Sequence, residues 1–300
     1  MKSKVFIFLA VIVILIIATV IFMYIFTPAE LNNTTTSGFK IRSQTWRGTI
    51  TIKGDVYYAP WAQLTIEPGT KILFDKKNDI EGTDWTKWAD AYIKDHDDPT
   101  GREGYKKSHF ALYGKIIAVG TKIKLITFTS AQTKPEYADW DQLILSEGSI
   151  LDYVEAAYAQ NGVNVNGKNV QIRNSIIHDS LWSCVDIFST GVTVENNEIY
   201  HCWHQAIGTK VPGEIIIKNN QVHDANLGIN CEHGAKPTII NNQFTAAPIN
   251  PDCGQNTDNA ILERSADTQG GIYNDRLIYP AQVENTDTFR ANREGVPLLR

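Results

Sequence analysis

The sequence predicts an all-β fold, a solenoid of short parallel strands with about 22 residues per coil. Three observations predict it. First, "VQIRNSIIHDS" from Val170, "VTVENNEIYHC" from Val192, "IIIKNNQVHDA" from Ile215 and "TIINNQF" from Thr238 align on Asn174, Asn196, Asn219 and Asn241, at intervals of 22, 23 and 22 residues. Second, a short strand follows each time, as "GVNV" from Gly162, "CVDI" from Cys184, "AIGT" from Ala206 and "GINC" from Gly228, 22 residues apart. Third, apolar residues alternate within these segments, and a side-chain period of two belongs to strands rather than helices. A fixed period of this length marks a repeat architecture in which each coil buries its apolar face against the next. The asparagines are expected to stack at the bends, amide on amide.

The other elements follow in chain order. After "MKSK", the run "VFIFLAVIVILIIATVIFMYIF", Val5 to Phe26, is uncharged and long enough to span a bilayer as a helix. Lys2 and Lys4 precede it and no basic residue follows until Lys40, so the positive-inside rule keeps the tip in the cytoplasm and exports the rest. A cleaved signal peptide is the competing reading, giving a secreted chain; the length of the apolar run favours an anchor. Residues 1–27 are thus read as tip and transmembrane anchor, and 28–45, containing "LNNTTTSG", as a polar linker. The solenoid is assigned to 46–256. An insertion at 78–110, in which Trp85, Trp88, Ala89, Tyr92 and Ile93 fall at helical spacing, interrupts it. Residues 257–300 form a polar tail or cap.

Upstream of the clear repeat, "LTIEPGT", "GKIIAVGT" and "ITFTS" read as looser, earlier coils. In this order, and followed by the Asn-Asn coils, they resemble right-handed parallel β-helix repeat proteins of the pectate-lyase-like superfamily, over about Gly48 to Gly254. The resemblance implies a right-handed, single-stranded parallel β-helix. It leaves activity open, because this fold hosts polysaccharide lyases, hydrolases, epimerases and adhesins.

Alignment of the coils puts His178, Tyr200 and His223 in one column, and Asp179, His201 and Asp224 in the next. An imidazole between carboxylates is either a proton donor near neutral pH or a stable ion stack. The loop residues Trp182, Trp203 and His204 follow on the same side. After them, alternation points Asn164, Asp186 and Asn230 outward, then Phe188, Lys210 and Glu232. Aromatics bordered by acids and amides suit an extended polysaccharide, so Trp182, Trp203, His204, His178 and His223 are the carbohydrate-binding candidates. If the face is catalytic, as in a lyase or a glycoside hydrolase, Asp186, His201, Lys210 and Glu232 are the candidates. Asp186 and Glu232 stand two coils apart, about 9.6 Å by strand spacing.

No cofactor is expected. Calcium is possible only in the acidic "KDHDDPTGRE" of the insertion, and a metal site at His201, Cys202 and His204 is the minor alternative. A net charge of −5 with scattered basic residues gives no nucleic-acid footprint. Cys231 and Cys253, 22 residues apart, fall on the same repeat position and are expected to form a disulfide, whereas Cys184 and Cys202 occupy different columns and are left unpaired. The expected partners are therefore a polysaccharide and, through the N-terminal helix, a membrane, with the main domain extracytoplasmic.

Overall fold

The computed structural model describes residues 2–75, 111–225, 227–247, 249, 250 and 253, and the backbone of short strands at 256–257, 260–262, 272–273 and 276–277. The inserted 78–110 segment and its acidic run lie outside the described residues, as does most of 257–300.

Helix α1 covers Lys2–Phe26, 25 residues without a break. Among the described residues, which for α1 include the side chains of 10–20, 23 and 24, no helix is long and apolar enough to cross a membrane. Of its described apolar side chains, Val13, Ile14, Leu15, Ile16, Ile17, Val20, Met23 and Tyr24 are each more than half exposed. The helix therefore buries little of its apolar surface against the rest of the chain.

From Ala29 onward the chain coils into a parallel β-helix. Strands β1 (Ala29–Lys40) and β2 (Gln44–Tyr58) each run through nearly a whole turn and pair in parallel from Ala29↔Gln44 to Lys40↔Tyr58. The expected linker is thus the first coil. Its polarity misled the sequence reading because a terminal strand has no coil before it to bury an apolar face against. Three parallel sheets form as the later coils stack. The first carries Gln171–Arg173, Val192–Glu195, Ile215–Lys218 and Thr238–Ile240. The second carries Val154–Ala157, Ile176–Ser180, Glu198–Cys202, Gln221–His223 and Gln243–Thr245. The third carries Leu143–Leu145, Val163–Val165, Ser183–Ile187, Gln205–Thr209 and Leu227–Cys231. Ala260–Leu262 still pairs with Gln243–Thr245, so the coiled ladder continues past residue 256.

Apolar columns fill the interior: Ile172, Val194, Ile217 and Ile239 from the first sheet, and Ile177, Ile199, Val222 and Phe244 from the second, each essentially inaccessible to water. In the earlier coils larger rings do the same work, with Phe74 stacked on Trp140 at 4.1 Å.

The corners explain the repeat. Between the first and second sheets, Tyr153, Asn174, Asn196, Asn219 and Asn241 all have φ between 51° and 57°. Asparagine tolerates this left-handed conformation better than other residues with a side chain. In the first coils the same corner holds Asn33 and Gly48. A Cβ on Gly48 would sit 2.3 Å from Asn33 Oδ1, so that position admits only glycine. The amide stack is formed by the next residue along, not by the aligned asparagines themselves. Asn197, Asn220 and Asn242 are buried, and each Nδ2 donates to the coil below while Oδ1 accepts from it. The first asparagine of each pair turns the chain, and the second ties the coils together.

Candidate functional site

The second corner, between the second and third sheets, has its own left-handed column: Tyr158, Asp179, His201, Asp224 and Ala246, with φ between 50° and 69°. His201 therefore takes the left-handed conformation of the turn. Just before the corner, His178, Tyr200 and His223 are in register and their rings stack at 4.8 Å, within 6° of parallel. The imidazoles thus cover both faces of the phenol. Ring edges, not faces, point away from the solenoid, and a sugar cannot lie flat on Tyr200.

Both nitrogens of each stacked imidazole meet carboxylates. His178 Nδ1 is 2.8 Å from Asp179 and Nε2 is 3.5 Å from Glu155. His223 repeats the pattern one coil pair later, with Asp224 at 3.0 Å and Glu198 at 3.3 Å. His201 Nδ1 is 3.4 Å from Asp179 Oδ1. Burial pushes the pKa of His178 down, but its bonds to Asp179 and Glu155 outweigh this and raise it to about 9. Glu155 is held below the usual carboxylate range, mainly by its bond to His178. Sequence reading missed Glu155 and Glu198. Each stands one coil before its histidine and two positions earlier on the same sheet face, a diagonal neighbour within reach of a long side chain.

The third sheet carries a second cluster. Asn164, Asp186, Gly208 and Asn230 are in register. Asn164, Asp186 and Asn230, which alternation points outward, are nonetheless buried, Asp186 being 3% exposed. Gln205 Nε2 donates to Asp186 Oδ1 at 2.7 Å, and Lys210 Nζ lies 3.8 Å from the same oxygen while bonding Glu232 Oε1. Asn230 Nδ2 donates to both Gln205 and Glu232 at 2.9 Å, and Asn250 donates to Asn230 at 2.7 Å. Gly208 makes this closure possible, because a Cβ there would come within 2.2 Å of Asp186 and of Gln205. Burial raises the pKa of Asp186, and the neighbouring Lys210 opposes the rise. Because one ammonium touches both carboxylates, the nearest oxygens of Asp186 and Glu232 lie closer than the roughly 6.5–9.5 Å kept by an inverting pair.

Of the four catalytic candidates, the structure brings Asp186, Lys210 and Glu232 together and leaves His201 at the corner with Asp179. Of the carbohydrate-binding candidates, Trp203 and His204 are buried rather than displayed, and Trp182 stacks on His204 at 4.1 Å. A two-residue bend tucks these rings against the next coil. Phe188, 45% exposed, follows Ile187, which pairs with Thr209, so it stands one coil before Lys210 at the same position along the strand.

Cys231 and Cys253 are joined by a disulfide with a Cα separation of 5.2 Å. Cys184 and Cys202 are also joined, at 5.5 Å, which corrects the unpaired reading. Cys202 ends a second-sheet strand beside Ser180, and Cys184 lies four residues beyond Ser180 on the other side of the bend. The link therefore runs diagonally across a corner, and column counting along straight strands misses it. It also takes Cys202 out of any metal set. Among the described residues, no group of three or more His, Cys, Asp or Glu could hold a metal ion.

No curated protein and no solved structure matches the chain. Residues 138–274 match the family model described as the right handed beta helix region. The parallel coils described above agree with this match, and together they show a right-handed β-helix.

Proposed function

We propose that this protein is a membrane-anchored, extracytoplasmic β-helix that binds an extended polysaccharide without cleaving it. Several features support the location. Lys2–Phe26 is a continuous helix whose sequence from Val5 is uncharged, and most of its described apolar side chains are exposed. Two disulfides fit an oxidising compartment outside the cytoplasm.

The observation that carries binding is the surface around Phe188, Lys210 and Glu232. An exposed aromatic residue falls one coil before Lys210 in the strand register, and Lys210 pairs with Glu232, which a buried amide, Asn230, also bonds. A sugar ring can lie on Phe188 while its hydroxyls bond the Lys210–Glu232 pair. Cleavage is the weaker reading although Asp186 has a raised pKa, because Asp186 is shielded and its Oδ1 is already engaged by Gln205.

Glycan-array binding by the purified chain, compared with Phe188→Ala and Glu232→Gln, tests the proposal. Each variant should weaken binding about 5- to 30-fold, equivalent to about 1–2 kcal/mol. Binding unaffected by both variants would overturn it. Release of new reducing or unsaturated ends from a bound glycan would replace binding with cleavage.

A further inference from the structure

Helix α1 joins the solenoid almost without slack. Only Thr27 and Pro28 separate Phe26 from β1, a reach of at most about 7 Å. The junction is also clamped: Arg42 Nε donates to Thr27 O at 2.6 Å, its guanidinium lies 4.5 Å over the ring of Tyr24, and Ala29 N donates to Ser43 O at 2.8 Å. If α1 crosses a bilayer, as the proposed function has it, the first coil is held at the level of the lipid headgroups.

That coil and the second present apolar side chains at the surface. Phe39 and Trp61 are each more than 60% exposed and Ile41 is 47% exposed; the Trp61 indole donates to Ile41 O at 2.8 Å, which fixes these two side by side. Between the first coil and the next a cavity of about 370 Å³ is lined by Thr35, Thr36, Ser37 and Lys40 of β1 and Gln44 and Lys53 of β2, with Leu31 as its apolar wall. Among the described residues, the lining holds two ammonium groups and three hydroxyls and no carboxylate. Such a donor set suits a phosphate, and exposed aromatic and aliphatic side chains beside it suit the boundary where headgroups meet acyl chains.

We propose that the first two coils form a binding site for the phosphate of an anionic membrane lipid, with Lys40, Lys53 and the hydroxyls of Thr35, Thr36 and Ser37 holding the headgroup and Phe39, Ile41 and Trp61 entering the interface. The inference rests on α1 being a membrane anchor. Lys40 is partly buried, its pKa is lowered by that burial, and its Nζ donates to Ser37 O at 2.6 Å, so an arriving phosphate meets an ammonium that has already lost part of its water.

The test uses the full chain in nanodiscs of phosphatidylcholine, with and without phosphatidylglycerol. Native mass spectrometry after release into detergent reads retained phosphatidylglycerol, and quenching of Trp61 by brominated phosphatidylcholine reads insertion. One retained phosphatidylglycerol per chain is expected. At about 5-fold per lysine, Lys40→Gln with Lys53→Gln should lower its affinity roughly 30-fold, and the paired arginine variant should keep it. The quenching difference should vanish in Trp61→Phe. Equal retention by the paired glutamine variant, or no quenching assignable to Trp61, overturns the site. Inorganic phosphate binding the lipid-free chain as tightly as phosphatidylglycerol overturns the lipid as ligand. Loss of the chain from vesicles on carbonate extraction overturns the anchor instead, whereas a chain that stays in the membrane without preferring phosphatidylglycerol overturns the headgroup site alone.

Discussion

Adjacent asparagines in one coil should respond very differently to the same substitution. Asn220 makes four side-chain hydrogen bonds: Nδ2 donates to Val194 O at 3.0 Å and to Asn242 Oδ1 at 2.9 Å, and Oδ1 accepts from the backbone and side-chain nitrogens of Asn197, each at 3.0 Å. Asn220→Ala deletes all four and leaves their partners in a space too dry for water to replace them; Asn220 itself is 1% exposed. At about 1 kcal/mol net per bond, the loss is about 4 kcal/mol. Asn219→Ala removes no part of this ladder and costs only the strain of alanine at φ 57°, about 1 kcal/mol. Asn219→Gly removes that strain. Urea unfolding of the full chain, followed by tryptophan fluorescence, compares the three variants. Alanine at 219 and at 220 shifting the transition equally would refute the division of labour between the two residues.

Two further outcomes follow from the second corner. The folded pKa of His178 lies above its ordinary value of 6.5, so its contribution to stability is complete below about pH 6.5 and disappears as the pH rises through about 9, a loss on the order of 3 kcal/mol. The Glu155 contribution has the opposite sense, present above its ordinary 4.5 and lost on acidification. Melting temperatures at pH 7 and pH 10 should therefore differ more for the native chain than for His178→Gln, and parallel behaviour would count against the ion pairs. Trp203→Ala, at a site 5% exposed, should destabilise by about 3–5 kcal/mol in a thermal melt. An unchanged melting temperature would return Trp203 to the surface.

The period, the strand columns and the corner at each asparagine were legible in the sequence because stacking forces one pattern to recur in every coil. The columns His178–Tyr200–His223 and Asp179–His201–Asp224 could be aligned for the same reason. Exposure was not legible. Alternation separates two faces of a strand, but Asp186 and Asn230 are covered by Gln205, Lys210 and Glu232, side chains that reach back over the sheet from neighbouring coils. The link between Cys184 and Cys202 was hidden because a bend brings together residues from different columns. Strand β1 was hidden because terminal coils depart from the repeat they close.

The two disulfides have a mechanical consequence. A solenoid under tension comes apart from its ends, because each coil is held mainly by the next. At the N-terminal end, Arg42 fastens the first coil to the helix stem through Thr27 and Tyr24. Near the other end, Cys231–Cys253 rivets successive coils, and Cys184–Cys202 sits behind it as a second stop. A pull from the C-terminal side that peels off the strands beyond Cys253 meets one covalent arrest and then another, so the domain yields in steps rather than unspooling in one run, and a reducing agent turns it back into a continuous zipper.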